Sequence, residues 1–177
     1  MLLVAMATER AFLGQSTKRG RLLFFSAEDP AALVRLRLRR ICTAWGVDPA
    51  ALAQWLRVID ATELDAALFA EQRIAGVRHG ATTPAYEALA DFMRDEAIDV
   101  AVLDNASDLF DGDEIVRPMV RGFIRALAHL VRERGGAVVL LAHVDKSTSR
   151  AGKSASSESY SGSTAWNNSV RSRIVLL

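Results

Sequence analysis

Three chemically capable residues follow apolar runs in this sequence: Glu28 after RLLFFSA, Asp104 after IDVAVL and His143 after GAVVLLA. An apolar run that ends on a carboxylate and a polar turn is how a buried parallel strand delivers an acidic group to a ligand. An aspartate so placed can hold the magnesium of a nucleoside triphosphate, generally through water. A second carboxylate can activate water, and a polar third residue can sense a phosphate. Together they compose a hydrolase site. Each also has a plainer reading. Asp and Asn favour turns at strand ends, Glu28 could serve beside a helix cap, and His143 could be an ordinary satisfied histidine. The conjunction of all three favours the site.

These residues need strands ending on one edge of a sheet, and the pattern supplies them. An apolar helix over 1–13 stops at Gly14, GQSTKRG forms a loop, and residues 21–28 form a buried strand. Asp29-Pro30 opens a helix to about Trp45, with Asp29 as N-cap and Pro30 in the first helical position. A short helix over 48–54 and a strand over 56–60 follow. A loop carrying Arg73, Arg78 and His79 leads to a helix from Thr83-Pro84 to about Glu96. After the Asp104 strand, Val120, Phe123, Ile124, Leu127, Leu130 and Val131 recur at three- and four-residue steps. They predict a helix over 118–134 with one apolar face, ended by Gly135-Gly136. The strand before His143 gives way to a mobile loop over 145–163, rich in Ser, Gly and Lys. A short helix near 163–171 and a last strand RIVLL complete an α/β chain with a mainly parallel sheet.

Bulk properties exclude several classes. At 177 residues, half of them hydrophobic, the chain fits one domain with a substantial core. A net charge of +1 exerts no global pull on nucleic acid or membrane. The single cysteine, Cys42, can form neither an internal disulfide nor a metal cluster; it belongs in the core and points to a reducing, cytoplasmic compartment. The opening MLLVAM is too short to span a bilayer and lacks the marks of a signal peptide.

The segments FFSAEDP, AVLDNASDLF, LLAHVDKS and GSTAWNNSVRSRIVL, in this order and spacing, resemble the RecA-superfamily ATPases related to plasmid and phage RepA-type hexameric replicative helicases. The resemblance implies a RecA-like sheet flanked by helices that binds ATP and Mg2+. By it, Glu28 is the catalytic glutamate that polarises water and Asp104 is the Walker B aspartate that holds magnesium. His143 stands where the terminal phosphate is sensed, Lys146 matches a lysine just after it, and Asp29 and Asn105 flank the two carboxylates in the nucleotide site. Arg171 matches an arginine finger that reaches into a neighbouring subunit, and Arg173 could share that role. The implied assembly is a homo-oligomeric ring, and the 145–163 loop is its implied contact with single-stranded DNA.

One departure is as informative as the match. Members of that group carry a phosphate loop, GxxxxGK[ST], ahead of the part that matches Met1 to Gly14, and this sequence has no such pattern. Gly152-Lys153-Ser154 is a partial match, but position 147 is serine and no apolar helix follows. The expectation is therefore a single incomplete RecA-like domain over 1–177 that lacks its first strand. That strand is expected beside the Asp104 strand, so its loss leaves two apolar edges facing a gap. Without the loop's backbone donors and lysine, the isolated chain binds ATP weakly or not at all. The alternative is a non-catalytic module that docks into an assembly and lends Arg171 to a neighbour.

Basic residues have two readings. Arg35, Arg37, Arg39 and Arg40 spread over about two helix faces and are expected on a solvated surface. Lys146, Arg150 and Lys153 in the loop are better placed to meet a nucleic-acid backbone. Only Tyr160 and Trp166 lie near enough to stack on bases, so sequence-specific reading is not expected.

Overall fold

The structure, a computed structural model, describes residues 1–143 and 164–174. Lys146, the Gly152-Lys153-Ser154 sequence and the whole of the 145–163 loop lie outside the described residues, as do residues 175–177 of the expected last strand.

The core is a parallel sheet of β1 (Leu22–Ser26), β2 (Leu56–Asp60), β5 (Val100–Asp104) and β7 (Ala137–Leu140), in the order β2-β1-β5-β7. Side chains alternate between its faces, as a two-residue strand period requires. Leu23, Phe25, Ala101 and Leu103 enter one core with α3 (Pro84–Asp95) and α5 (Arg117–His129). Leu22 and Val102 enter a second with α1 (Leu2–Ala7) and α2 (Ala31–Trp45), where Cys42 is fully buried. Helices on both faces explain why these strands read as continuous apolar runs. The α/β architecture with a mainly parallel sheet is as the sequence predicts.

Several local expectations are corrected. The first helix ends at Ala7, and Phe12 to Gln15 form a small turn with Leu13 and Gly14 at positive φ. The stretch expected as a loop around Arg73 to His79 is an antiparallel hairpin, β3 (Phe69–Ile74) and β4 (Val77–Thr82), turned at Ala75-Gly76 with φ of 50° and 80°. Positive φ at both central residues is the primed turn that matches strand twist. Arg78 pairs across this hairpin with Glu71 at 2.5 Å. The hairpin escaped the period-2 test because residues 72–80 are exposed on both faces. β3 also pairs with β6 (Phe110–Asp111), which follows the four-residue helix α4 (Ala106–Leu109).

The gap expected beside the Asp104 strand is not there. β5 is paired on both sides, to β1 through Ser26↔Asp104 and to β7 through Leu103↔Leu140, so the outer strands among the described residues are β2 and β7. Nor is Asp29 the N-cap of α2. Pro30 takes that position, and the Ala31 amide donates instead to Asp60 Oδ2 on the neighbouring strand, at 2.6 Å. By contrast, α3 starts at Thr83-Pro84 as expected, and the Thr83 hydroxyl caps it by accepting from the Tyr86 amide at 3.2 Å. The short helix α6 (Thr164–Ser169) is seated by Trp166, which packs edge-on against Phe110 and Phe123 with centroids 5.7 and 6.0 Å away. Trp166 is thus a core residue rather than a base-stacking one. No strand forms over Arg173 and Ile174.

Candidate functional site

Backbone bonds past the formal strand ends carry the register of the sheet to its carboxyl edge. The Ala27 amide donates to Asp104 O at 2.6 Å, and the Ala106 amide donates to Leu141 O at 2.8 Å. Glu28 lies two residues beyond β1 and His143 three beyond β7, so only Asp104 stands within its strand. The three nonetheless meet, because these ties draw the connecting segments together above β5.

Glu28 is the hub. One of its carboxylate oxygens, Oε2, accepts from Asn105 Nδ2 at 2.8 Å and lies 3.1 Å from His143 Nε2. Asn105 is held in turn: it is buried, and its Oδ1 accepts from the Ser107 and Asp108 amides at 2.9 and 3.3 Å, capping α4. Asp29 is fixed through Ser26, a fully buried hydroxyl that donates to Asp29 O at 2.7 Å and accepts from Asp29 N at 3.1 Å. The Asp29 carboxylate takes an ion pair from Arg37. Sequence reasoning missed Arg37 and Ser26 as parts of this edge. The arginine was read with its basic neighbours, and the serine as the end of an apolar run. A hydroxyl at the last strand position before an acidic pair was the available signal.

Electrostatics divide the two carboxylates. The Asn105 amide, then the His143 contact, hold Glu28 below the ordinary carboxylate range despite some desolvation. Asp104 is pushed up, first by burial and then by the nearby charges of Glu28 and Asp29, with His143 and Arg37 offsetting part of it. Glu28 is therefore the ionised, exposed acceptor, and Asp104 the half-buried carboxylate whose charge is short of compensation.

That imbalance suits a hard cation near Asp104, for which oxygen donors are the natural ligands. Among the described residues no group of three or more His, Cys, Asp or Glu side chains could hold a metal ion by itself. The site accordingly fits magnesium on one carboxylate with the remaining ligands from water and phosphate, and does not fit a dedicated protein cage. Arg171 and Arg173 stand on the exposed segment after α6.

Among the described residues no helix is long and apolar enough to cross a membrane. Residues 1–149 match the model of a family described as an AAA domain, and no curated protein matches the chain.

Proposed function

The chain belongs to the AAA domain family, and from that membership we propose a magnesium-dependent ATP hydrolase of the DNA-replication, helicase-like type. The observation that carries this reading is the Glu28 carboxylate held between Asn105 and His143 beside Asp104. Glu28 orients water for attack on the terminal phosphate. Because its affinity for protons is lowered, it acts chiefly as an ionised acceptor, and full proton removal is left to a later stage of the reaction. His143, touching the same oxygen, links the state of that phosphate to the orientation of Glu28. Asp104 would hold magnesium through water, and the ion supplies positive charge to the phosphate oxygens. Asp29, Asn105, Lys146 and Arg173 complete the nucleotide surroundings.

On this reading the active form is a ring of identical subunits, with Arg171 supplied to the neighbour's site and the 145–163 loop facing single-stranded DNA. An arginine finger acts on charge that develops only in the transition state, so its loss lowers turnover by about 10³ to 10⁵ with little effect on ATP affinity. In a form of the protein that supplies a phosphate loop, Glu28→Gln abolishes hydrolysis and spares nucleotide binding. Mixing Arg171→Ala with Glu28→Gln subunits restores part of the activity. Undiminished turnover in Glu28→Gln rejects the assignment of Glu28. A mixture as inactive as its parts, in rings shown to form, rejects Arg171 as a residue acting between subunits.

The second reading is a non-catalytic module that docks into such an assembly and lends Arg171 to a neighbour. Calorimetric titration of the chain with magnesium-ATP separates the two. The second reading requires weak or absent binding, and micromolar affinity removes it.

A further inference from the structure

Helix α5 presents Met119, Val120, Phe123 and Leu127 to the core, and its opposite side carries an unbroken basic row. Arg117, Arg121 and Arg125 recur at four-residue steps, His129 continues the line, and Arg132 follows in the turn after the helix; all are exposed. At about 100° per residue these positions fall within an arc of about 120° on one face, and from Arg117 to Arg125 they span about 12 Å. None of the four arginines has an ion-pair partner among the described residues. Of the acids that flank the helix in sequence, Asp113 is engaged by Arg78, Glu114 is half-buried, and Asp111 and Glu133 are exposed. Like charges at i, i+4 repel by a few tenths of a kcal/mol per pair, about 0.2–0.5, and a polyanion laid along the row relieves that repulsion while pairing every guanidinium.

We propose that this outward face of α5, with Arg117, Arg121, Arg125 and Arg132, binds the phosphodiester backbone of a nucleic acid without regard to base sequence. A strand carries one phosphate per about 3.4 Å of axis, so a row about 22 Å long faces on the order of six phosphates. Guanidinium groups pair with phosphate oxygens two hydrogen bonds at a time. No aromatic residue lies on the row to stack on bases, so the contact positions the strand and does not read it. A membrane surface fits less well, since the apolar face that an interfacial helix would insert is already buried in the core. The arginines of α2 form no equivalent row, because Arg37 is engaged by Asp29 and Arg35 lies in the field of the Asp60 carboxylate, which leaves Arg39 and Arg40, about 100° apart on the helix. The proposal requires neither nucleotide nor hydrolysis, and so stands or falls apart from the function proposed above.

Fluorescence anisotropy of the full chain with labelled mixed-sequence single-stranded and duplex DNA, across a salt series, tests it without ATP. The unsubstituted chain binds at low salt. Combined Arg117→Gln, Arg121→Gln and Arg125→Gln weakens binding at least about tenfold and reduces the salt slope by about 2 to 3. The corresponding triple lysine variant keeps the charge and binds within about threefold of the native chain. Arg35→Gln, Arg39→Gln and Arg40→Gln together change little, although they remove the same charge. Four outcomes overturn the proposal: no binding by the native chain at low salt, an unaffected glutamine variant, an equal loss in the α2 variant, or row-dependent capture by phosphatidylserine vesicles with DNA ignored. The last would identify a membrane-surface site instead.

Discussion

Asn105 donates its side-chain amide to Glu28 at 2.8 Å while its carbonyl oxygen accepts two backbone amides of α4. One buried side chain thus starts a helix with its acceptor and holds a candidate catalytic carboxylate with its donor, 77 residues away in sequence. The orientation of Glu28 is therefore tied to the segment that also carries Asp104.

Asn105→Ala should disturb both functions. Loss of the cap costs about 1 kcal/mol, a fall of roughly 2–4 °C in Tm for a chain of this size. The Glu28 carboxyl should also titrate closer to its ordinary range, since its leading hydrogen bond is gone. Carbon-13 titration of the glutamate side chains reads this directly. An unmoved Glu28 would show that its low proton affinity has another origin.

Asp104 makes the folded protein sensitive to pH in the direction opposite to Glu28. Its pKa is raised on folding, so between the unfolded and folded values the native state holds the extra proton, and stability falls as pH rises through that window. Glu28, lowered on folding, contributes stability present at neutral pH and lost as pH falls through its folded value. Asp104→Asn, without nucleotide or magnesium, should therefore raise Tm at neutral pH. The gain should disappear below the ordinary carboxylate range. Melting curves of both proteins across that range test the sign, and a lower Tm for the variant at neutral pH would contradict it.

Gly136 is required by backbone proximity rather than by backbone angle. A Cβ there would run into the backbone carbonyl oxygen of Asp99, the same oxygen that accepts from the Ala137 amide at 3.0 Å. The neighbour is main chain and cannot rotate away. Gly136→Ala should cost about 1–3 kcal/mol and loosen the β5–β7 pairing. Urea unfolding gives the first, and amide exchange at Val138 and Leu140 the second.

Trp166 holds α6 to the body of the protein through edge-on contacts with Phe110 and Phe123. Trp166→Ala should cost about 3–5 kcal/mol as a buried aromatic truncation, and Trp166→Phe distinctly less. Chemical denaturation of the two variants decides the matter. Near-native stability in the alanine variant would mean that α6 is not docked in solution.

Much of the frame can be read in the sequence because its signals are local. The runs LLFF and VAVL are apolar up to the polar residue that ends each strand, since both faces of the sheet are covered, and their burial matches. The three- and four-residue steps of Val120, Phe123 and Leu127 mark a buried helix face, and all three are buried. The Thr83-Pro84 start of α3 is a local hydrogen bond with a pre-set φ, so it too is legible. The β3–β4 hairpin is not. Its tip is exposed on both faces, leaving no apolar alternation to detect, and Ala75-Gly76 is a weak turn signal.

From the sequence alone come the parallel α/β class and the three residues that approach one sheet edge, because composition and period are properties of short segments. Tertiary structure alone decides which of those residues touch. His143 reaches Glu28 across 115 residues, and Asn105 reaches it across 77. Arg37 leaves its basic neighbours for Asp29, and Asp60 replaces Asp29 in serving the start of α2. The opposite shifts of Glu28 and Asp104 follow from the same cause. Charge interacts through space and depends on burial, and neither distance nor burial is written in the order of the residues.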